Sequence, residues 1–208
     1  MRRIILIFAG ICVIFTASVG AKITWANQAI SLNISQLMQA DVAFTGTCTK
    51  AQSRVMKSSS VAGGLLVTTY TFEVSEILKG DVPAEFSFTQ WGASRNEAFK
   101  LGKPFVYGPP LYEIGKEYTL LLTSPSRLGL RAPVGLGQGK FTVIKGPEGK
   151  VQVVNQTGNK GLFTNLPATK AMTKALSAGG IKRGVTVPTG PMDYSNFKEV
   201  VKNLNEKE

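Results

Sequence analysis

The chain has 208 residues and a net charge of +11, from 24 lysines and arginines against 13 aspartates and glutamates. It contains no histidine and only two cysteines, so histidine-dependent nucleophiles, zinc sites with histidine ligands and four-cysteine zinc sites are all excluded. Its acidic residues are scattered rather than spaced as in a calcium-binding loop, and the sequence therefore predicts no metal, no small-molecule cofactor and no catalytic set.

Residues 1–21 have the pattern of a secretory signal peptide. Two arginines precede an apolar run, and small residues end the segment just before Lys22, which is the order of a positive start, an apolar centre and a cleavage site. The uncharged stretch over residues 4–21 also reaches the lower length limit for crossing a bilayer, so an uncleaved anchor is the alternative. With cleavage, we expect a protein of the periplasm or the extracellular space whose mature chain does not span the membrane.

The predicted mature chain begins at Lys22 and has about 187 residues, a length typical of one domain. Its net charge is +9, with 22 basic and 13 acidic residues. In an exported protein such a charge attracts lipid headgroups, acidic polysaccharides or acidic proteins rather than nucleic acid, or it keeps the domain soluble. Cys48 has no second cysteine in this mature chain, so it is either a small buried hydrophobic residue or a link to a partner.

The predicted elements of residues 22–163 are mostly strands. Tyr70, Phe72 and Val74 alternate with polar residues inside the clearest strand, which is typical of a sheet with one wet face. Short strands separated by turns predict a mainly β protein, built as a small antiparallel barrel or sandwich. In chain order we expect a short helix around residues 32–38 and strands over residues 42–49, 65–78, 85–91 and 115–123, a pair of strands within residues 131–145, and a last strand over residues 151–154. Residues 141–144 and 151–154 are expected to form a hairpin.

Residues 164–208 are predicted as a helical tail with a flexible linker. A helix follows Pro167, and the linker covers residues 181–193. The last segment has its apolar residues at positions 197, 200, 201 and 204, which is the pattern of an amphipathic helix. Ser195 and Lys198 have the spacing of a serine–lysine acyl enzyme, but the other motifs of such enzymes are missing. We therefore expect Ser195 to cap the last helix.

Residues 92–114 form a long connection rich in glycine, proline and aromatic residues. Loops of this length are functional or carry structure of their own. Trp91, Tyr107 and Tyr112 lie in or beside this loop, and they form either a platform for a partner or a plug at one end of the barrel. These three residues are candidates for partner binding.

The stretch "PVGLGQGKFTV" at residues 133–143 has three glycines before a lysine, as phosphate-binding loops do. The spacing fails, because Val134 stands where the first glycine is needed and Phe141 follows the lysine. We expect an extended segment in which the three glycines leave one face bare for close packing. Gln138 and Lys140 then point together to the opposite face, and both are candidates for partner binding.

The motifs "TTYTFEVSEILKGD", "EFSFTQWG", "YEIGKEYTLLLT" and "VGLGQGKFTV", in this order, resemble a family of exported bacterial proteins of unassigned function. The order of strands is also similar to that of netrin-like modules and tissue inhibitors of metalloproteinases. The resemblance covers residues 32–154 and implies a small antiparallel OB-type barrel. With the elements predicted from the residues, the expected fold is such a barrel with a short N-terminal helix and a helical C-terminal tail. Those inhibitors chelate the protease metal through an amino-terminal cysteine, and no cysteine lies near Lys22.

The sequence supports three functional hypotheses of different classes. The first is an exported, non-catalytic binding module for an unknown protein or anionic component of the cell envelope. The second is a protease inhibitor or an accessory subunit of a secreted protease, acting through the mature terminus. The third is a glycosidase with paired carboxylates, for which Glu73 and Glu76 are the most local pair. On a strand, residues three apart face opposite sides, which argues against the third hypothesis.

Overall fold

The computed structural model of the chain describes residues 31–58, 61–182 and 189–205. The predicted signal peptide and the predicted mature terminus at Lys22 lie outside these residues, as do residues 183–188 of the predicted linker. Within the described ranges, no helix is both long and apolar enough to cross a membrane.

Seven strands form one antiparallel sheet. They are β1 (Val42–Met56), β2 (Leu65–Lys79), β3 (Glu85–Trp91), β4 (Glu117–Leu122), β5 (Lys140–Lys145), β6 (Val151–Asn155) and β7 (Met192–Asp193). The helices are α1 (Ile34–Leu37), α2 (Arg95–Lys100), α3 (Lys170–Ala178) and α4 (Tyr194–Asn205). The order of strands across the sheet is β3-β2-β1-β4-β5-β6-β7, so β1 lies between its sequence neighbour β2 and the distant β4. The predicted β5–β6 hairpin is confirmed.

The prediction of a mainly β protein is confirmed, but the sheet does not close into a barrel. Over the part of the chain that the structure describes, β3 and β7 are its two edges. A parallel bridge between Thr89 of β3 and Leu130 joins one edge to the connection that follows β4. The connection pairs with β3 at this one bridge, whereas a closed barrel needs a ladder of hydrogen bonds at that place.

β1 is longer than the strand predicted over residues 42–49. Residues 43–47 pair with β2 on one side and with β4 on the other. Residues 50–56 pair with β2 alone, which leaves their outer edge without a strand partner among the described residues. The sequence after Cys48 is polar and mostly exposed, so it lacks the alternation by which a half-buried strand is recognised.

Helices α1, α3 and α4 cover one face of the sheet and form the first hydrophobic cluster with it. Phe141 of β5 packs against Phe197 of α4 with their ring centroids 4.6 Å apart, and both side chains are fully buried. Buried residues of α1 and α3 belong to the same cluster. The predicted tail helices therefore pack onto the sheet as part of its core. The sheet contributes Ala43, Leu78, Leu121, Phe141 and Val153 to this cluster.

The second cluster, which is mainly aromatic, is built on strands β1 to β4, and in β1 and β4 its residues alternate with those of the first cluster. Phe72 of β2 lies at its centre and is fully buried. The predicted alternation of β2 is confirmed, because Tyr70 and Phe72 belong to this cluster and Val74 packs against it. The other buried members are Val42, Phe44, Cys48, Val82, Phe88, Tyr112, Tyr118, Leu120 and Leu122.

Asp193, rather than the predicted Ser195, caps the last helix. α4 begins at Tyr194, one residue before the predicted cap. The Asp193 carboxylate accepts hydrogen bonds from the backbone N–H groups of Ser195 at 2.9 Å and Asn196 at 3.2 Å, and from the Ser195 hydroxyl at 2.5 Å. An aspartate before the first turn supplies acceptors to N–H groups that have no partner within the helix.

Glu76 of β2 holds α4 against the sheet by charge. Its carboxylate accepts hydrogen bonds from Lys202 at 2.7 Å and from the Tyr194 hydroxyl at 2.9 Å, and Lys198 lies 3.3 Å away. Burial works to raise the pKa of Glu76, but the hydrogen bonds from Lys202 and Tyr194 and the charge of both lysines outweigh it. The pKa of Glu76 is therefore lowered.

Replacing Glu76 by glutamine should lower the free energy of unfolding by about 1 kcal/mol at neutral pH, because a partly exposed ion pair is lost. Since the folded-state pKa is depressed, this contribution is present above the unfolded-state pKa of about 4.3 and disappears as the pH falls through the folded-state pKa. Urea unfolding of both proteins at neutral and acidic pH measures the difference. A difference that persists unchanged in acid would contradict the prediction, and the same substitution at Glu148, which pairs with Lys150 in an exposed turn, is the matched control.

Candidate functional site

A groove opens between the loop over residues 105–111 and the strands β5 and β6. Its volume is about 640 Å³. The loop is held in place by Gln90 of β3, whose side-chain amide donates a hydrogen bond to the carbonyl oxygen of Pro110 at 2.6 Å. We call this site the Lys140 groove. Its lining residues are Phe105, Val106, Tyr107, Gly108, Pro109, Pro110, Leu111, Gly137, Lys140, Thr142, Val154, Asn155 and Gln156.

Lys140, the first residue of β5, places its ammonium group against an aromatic surface. Its Nζ atom lies 4.6 Å from the ring centroid of Tyr118 and 5.0 Å from that of Tyr112, within the range of cation–π attraction. It also donates a hydrogen bond to the carbonyl oxygen of Leu111. No carboxylate of the described residues forms an ion pair with Lys140.

Burial lowers the pKa of Lys140, because an ammonium group loses part of its hydration in the groove. The negative charge of Glu113, which is too distant for an ion pair, opposes this effect, and the nearby charge of Lys116 adds to it. The protein therefore compensates the charge of Lys140 only in part. An anion in the groove would supply the missing negative charge.

Tyr112 and Tyr118 are fixed in place by the second hydrophobic cluster. Tyr118 lies in β4 and its hydroxyl accepts a hydrogen bond from the backbone N–H of Glu113 at 3.0 Å. Burial raises the pKa of both tyrosine hydroxyls, so both rings stay neutral at physiological pH. Cys48 is fully buried in the same cluster, and burial raises the pKa of its thiol. This position matches the first interpretation of Cys48, a small buried hydrophobic residue.

The glycine-rich stretch is a turn, and the expectation of an extended segment is wrong. Leu136–Gln138 form a single 3-10 turn that starts from Gly135, whose φ of 63° is left-handed. A Cβ atom on Gly139 would lie 2.5 Å from the carbonyl oxygen of Val134, so this position has no room for a side chain. The glycines thus allow close packing, as expected, but by folding the backbone on itself. A strand, not a helix, begins at Lys140.

Gln138 and Lys140 do not share a face. The side-chain oxygen of Gln138 accepts a hydrogen bond from the backbone N–H of Leu32 at 2.7 Å, beside the first hydrophobic cluster. The Lys140 side chain instead reaches Tyr112 and Tyr118 of the second cluster. The prediction that both point together fails because strand alternation does not apply across the 3-10 turn that contains Gln138.

The three candidate aromatic residues occupy three different environments. Tyr112 is buried between Tyr70 and Phe72, within the second hydrophobic cluster. Tyr107 is 76% exposed at the rim of the groove, where its hydroxyl accepts a hydrogen bond from Arg95 at 2.6 Å. Trp91 is half-buried and lines an adjoining apolar cavity of about 150 Å³, which shares Val106 with the Lys140 groove. The structure therefore brings Tyr107 to the Lys140 groove and Tyr112 beneath it, and places Trp91 in the adjoining cavity.

Several residues of the groove were not foreseen from the sequence. Thr142 lies opposite Val154 in the β5–β6 ladder, and both line the groove. The predicted hairpin could have placed these two residues together, but nothing in it indicates that residues 105–111 cross beside them. Leu111 takes part through its backbone carbonyl group, which any residue type would provide.

The carboxylates of β2 do not form a pair suited to glycoside hydrolysis. Glu76 is bound to the lysines of α4, whereas Glu73 lies exposed opposite Thr47 and Glu85 on the neighbouring strands. Neither residue lines the Lys140 groove. In the ranges that the structure describes, no group of three or more acidic or cysteine side chains is arranged to hold a metal ion.

Comparison of the chain with protein-family models, with curated proteins and with solved structures finds no match to any of them. The resemblance to netrin-like modules and tissue inhibitors therefore stays a prediction, and the candidate function rests on the geometry of the Lys140 groove.

Proposed function

We propose that this chain is an exported, non-catalytic binding module that holds an anionic group of an envelope component or of a partner protein in the Lys140 groove. The observation that carries the proposal is the ammonium group of Lys140, which is partly desolvated and lacks an ion-pair partner among the described residues. A desolvated cation binds an anion more strongly than an exposed one, because the local dielectric constant is lower.

The shape and lining of the groove support a ligand with both an anionic and an apolar part. Its volume of about 640 Å³ falls within the range of small-ligand sites, about 300–1,000 Å³. Phe105, Pro109 and Leu111 offer apolar surface, and Gln156 offers an amide group for hydrogen bonds. The side-chain amide of Asn155 is instead bound to Gln138, Thr157 and Asn159. Such a lining suits a carboxylate or phosphate attached to an apolar body.

The arrangement of strands supports an OB-type origin for the fold. β1 pairs with both β2 and β4, and β3 meets the connection after β4 through a parallel bridge. We propose that this open sheet is related to an OB-type barrel, with the Thr89–Leu130 bridge in the place of the pair of strands that closes such a barrel. OB-type barrels bind ligands on the face of strands 2 and 3 and with the loops after strands 1 and 4. Residues 105–111 lie in the connection between β3 and β4, so the Lys140 groove is proposed from its own geometry and not from this fold analogy.

Replacing Lys140 by glutamine should weaken binding of anionic probes by about ten- to a hundredfold, because a charge-assisted hydrogen bond is lost. The probes are phosphatidylglycerol vesicles and polygalacturonate, titrated by calorimetry at low ionic strength. Binding to the natural protein should also fall as the pH rises through the lowered pKa of Lys140, since the amine is charged only below it.

Lys145→Gln is the matched control, since Lys145 is an exposed residue at the other end of β5. This variant should bind the probes almost as the natural protein does. If both variants bind equally well, the affinity comes from net charge and the groove is not the site. If neither probe binds, and capture from an envelope extract shows no partner that depends on Lys140, the proposal is wrong.

A further inference from the structure

The outer edge of β1 over residues 50–56 has no strand partner among the described residues and carries exposed basic side chains. Residues 43–47 are paired with β2 on one side and with β4 on the other, but the pairing of β1 with β4 ends at Thr47. From Ala51 to Met56, no backbone hydrogen bond to an element other than β2 is found among the described residues. Such an edge presents free N–H and C=O groups that can bind another extended chain.

The charges on this edge are all positive. Lys50, Gln52 and Arg54 share one face of the strand because they are two residues apart, and all three are exposed. Their pairing partners on β2 are Thr71, Thr69 and Val67, so no acidic residue of β2 lies directly opposite them. Neither Lys50 nor Arg54 forms an ion pair within the described part of the chain.

The other face of the edge is small and apolar. Ala51 and Val55 are exposed there, and Val55 shows 36% of its surface. Ser53 lies between them, and its hydroxyl is bound to Thr68 at 3.0 Å. A strand added beside β1 would therefore meet positive charges on one face and small apolar side chains on the other.

We propose that the edge of β1 over residues 50–56 binds an extended acidic segment of a partner protein by β-strand addition. In that segment acidic residues alternate with apolar ones, so that the acids face Lys50 and Arg54 and the apolar residues face Ala51 and Val55. This surface is separate from the Lys140 groove, whose lining contains no residue of β1.

A second copy of the chain fits this edge poorly. In the symmetric antiparallel pairing centred on Gln52, Lys50 of one copy lies opposite Arg54 of the other, and like charges directly opposite destabilise a strand pair. The same two residues oppose pairing with any basic strand. Charge thus favours an acidic segment and disfavours self-association.

The test uses a fluorescent peptide of alternating glutamate and valine, titrated against the full chain by fluorescence anisotropy. We expect saturable binding that weakens with salt, because screening reduces the charge attraction. A peptide of the same composition with its glutamates contiguous should bind more weakly, since it cannot place all of them on one face. Lys140→Gln should leave the affinity for the alternating peptide unchanged, which separates this proposal from that of the groove.

The double variant Lys50→Glu/Arg54→Glu should bind the peptide about tenfold more weakly, because two attractive cross-strand pairs become repulsive. Lys145→Glu/Lys160→Glu makes the same change of net charge at exposed residues elsewhere and should have little effect. A peptide of alternating lysine and valine should bind the first double variant and not the natural protein. This exchange of specificity shows that the variant is folded and that the charges act directly.

Amide hydrogen exchange identifies the mode of binding. In a strand, successive N–H groups point to opposite edges, so the peptide should slow exchange at every second amide from Ala51 to Met56. Binding without this alternating protection would mean charge attraction alone and would overturn the proposal. Equal affinity of the two double variants, or dimerisation of the chain through this edge, would also overturn it.

Discussion

Replacing Phe197 by alanine should lower the free energy of unfolding by about 3–5 kcal/mol. Phe197 is fully buried in the first hydrophobic cluster, where its ring lies 4.6 Å from that of Phe141. Removing the ring leaves a cavity between α4 and the sheet as well as a loss of buried apolar surface. Because Val200 and Val201 are buried on the same side of α4, the helix should separate from the sheet more readily than the rest of the protein unfolds.

Urea unfolding measures the loss of free energy, and amide hydrogen exchange shows where the structure opens first. Phe99→Ala is the matched control, because Phe99 is 86% exposed. An exposed substitution of this kind usually changes the free energy of unfolding by no more than about 0.5 kcal/mol. If Phe197→Ala resembles the control, or if α4 exchanges no faster than β1, the packing of the tail helices described above is incorrect.

Replacing Phe72 by alanine should cost a similar 3–5 kcal/mol and should also weaken binding in the Lys140 groove. The Phe72 ring is stacked on Phe88 with centroids 5.8 Å apart, and its centroid lies 5.4 Å from Tyr112 and 6.4 Å from Tyr118. The ammonium group of Lys140 packs against the rings of these two tyrosines. Without Phe72 both rings become more mobile, and the position of Lys140 becomes less well defined.

The two phenylalanine variants separate stability from binding. At a temperature where both remain mostly folded, Phe72→Ala should bind phosphatidylglycerol vesicles more weakly than Phe197→Ala, which should bind them nearly as the natural protein does. The same vesicle titration used for Lys140→Gln measures this. Equal losses of affinity in both variants would mean that the groove depends on general stability and not on its aromatic support.

Some of the fold could be predicted because single segments carry their own pattern. The alternation of Tyr70, Phe72 and Val74 indicated β2, and the spacing of Phe197, Val200 and Val201 indicated α4. In each case the buried face repeats with the period of the backbone. β1 has no alternation of buried and exposed residues after Cys48. Both faces of that part of the strand are mostly exposed, and it pairs with β2 alone, so its sequence carries no strand pattern.

The site was harder to predict because it depends on contacts between distant segments. Lys140 was a candidate because of its place after three glycines, yet its environment comes from Tyr112, Tyr118 and the carbonyl group of Leu111. Strand alternation predicts that Gln138 lies on the same face as Lys140. Gln138 is in a 3-10 turn, however, so the alternation of a strand does not apply to it. Tyr107 and Tyr112 lie close in sequence, but one is exposed and the other buried.

The central place of β1 has a consequence for how quickly the protein folds. β2 follows β1 directly, so their hairpin forms by closing a short loop, whereas the pairing of β1 with β4 joins segments that are far apart along the chain. Closing a long loop costs more conformational entropy, and folds rich in such distant pairings reach the native state slowly. We therefore expect the three-stranded unit of β1, β2 and β3 to form early and the arrival of β4 to limit the rate. Until then the outer edge of β1, opposite β2, is accessible to other chains along its whole length, so misassembly is most probable at this step.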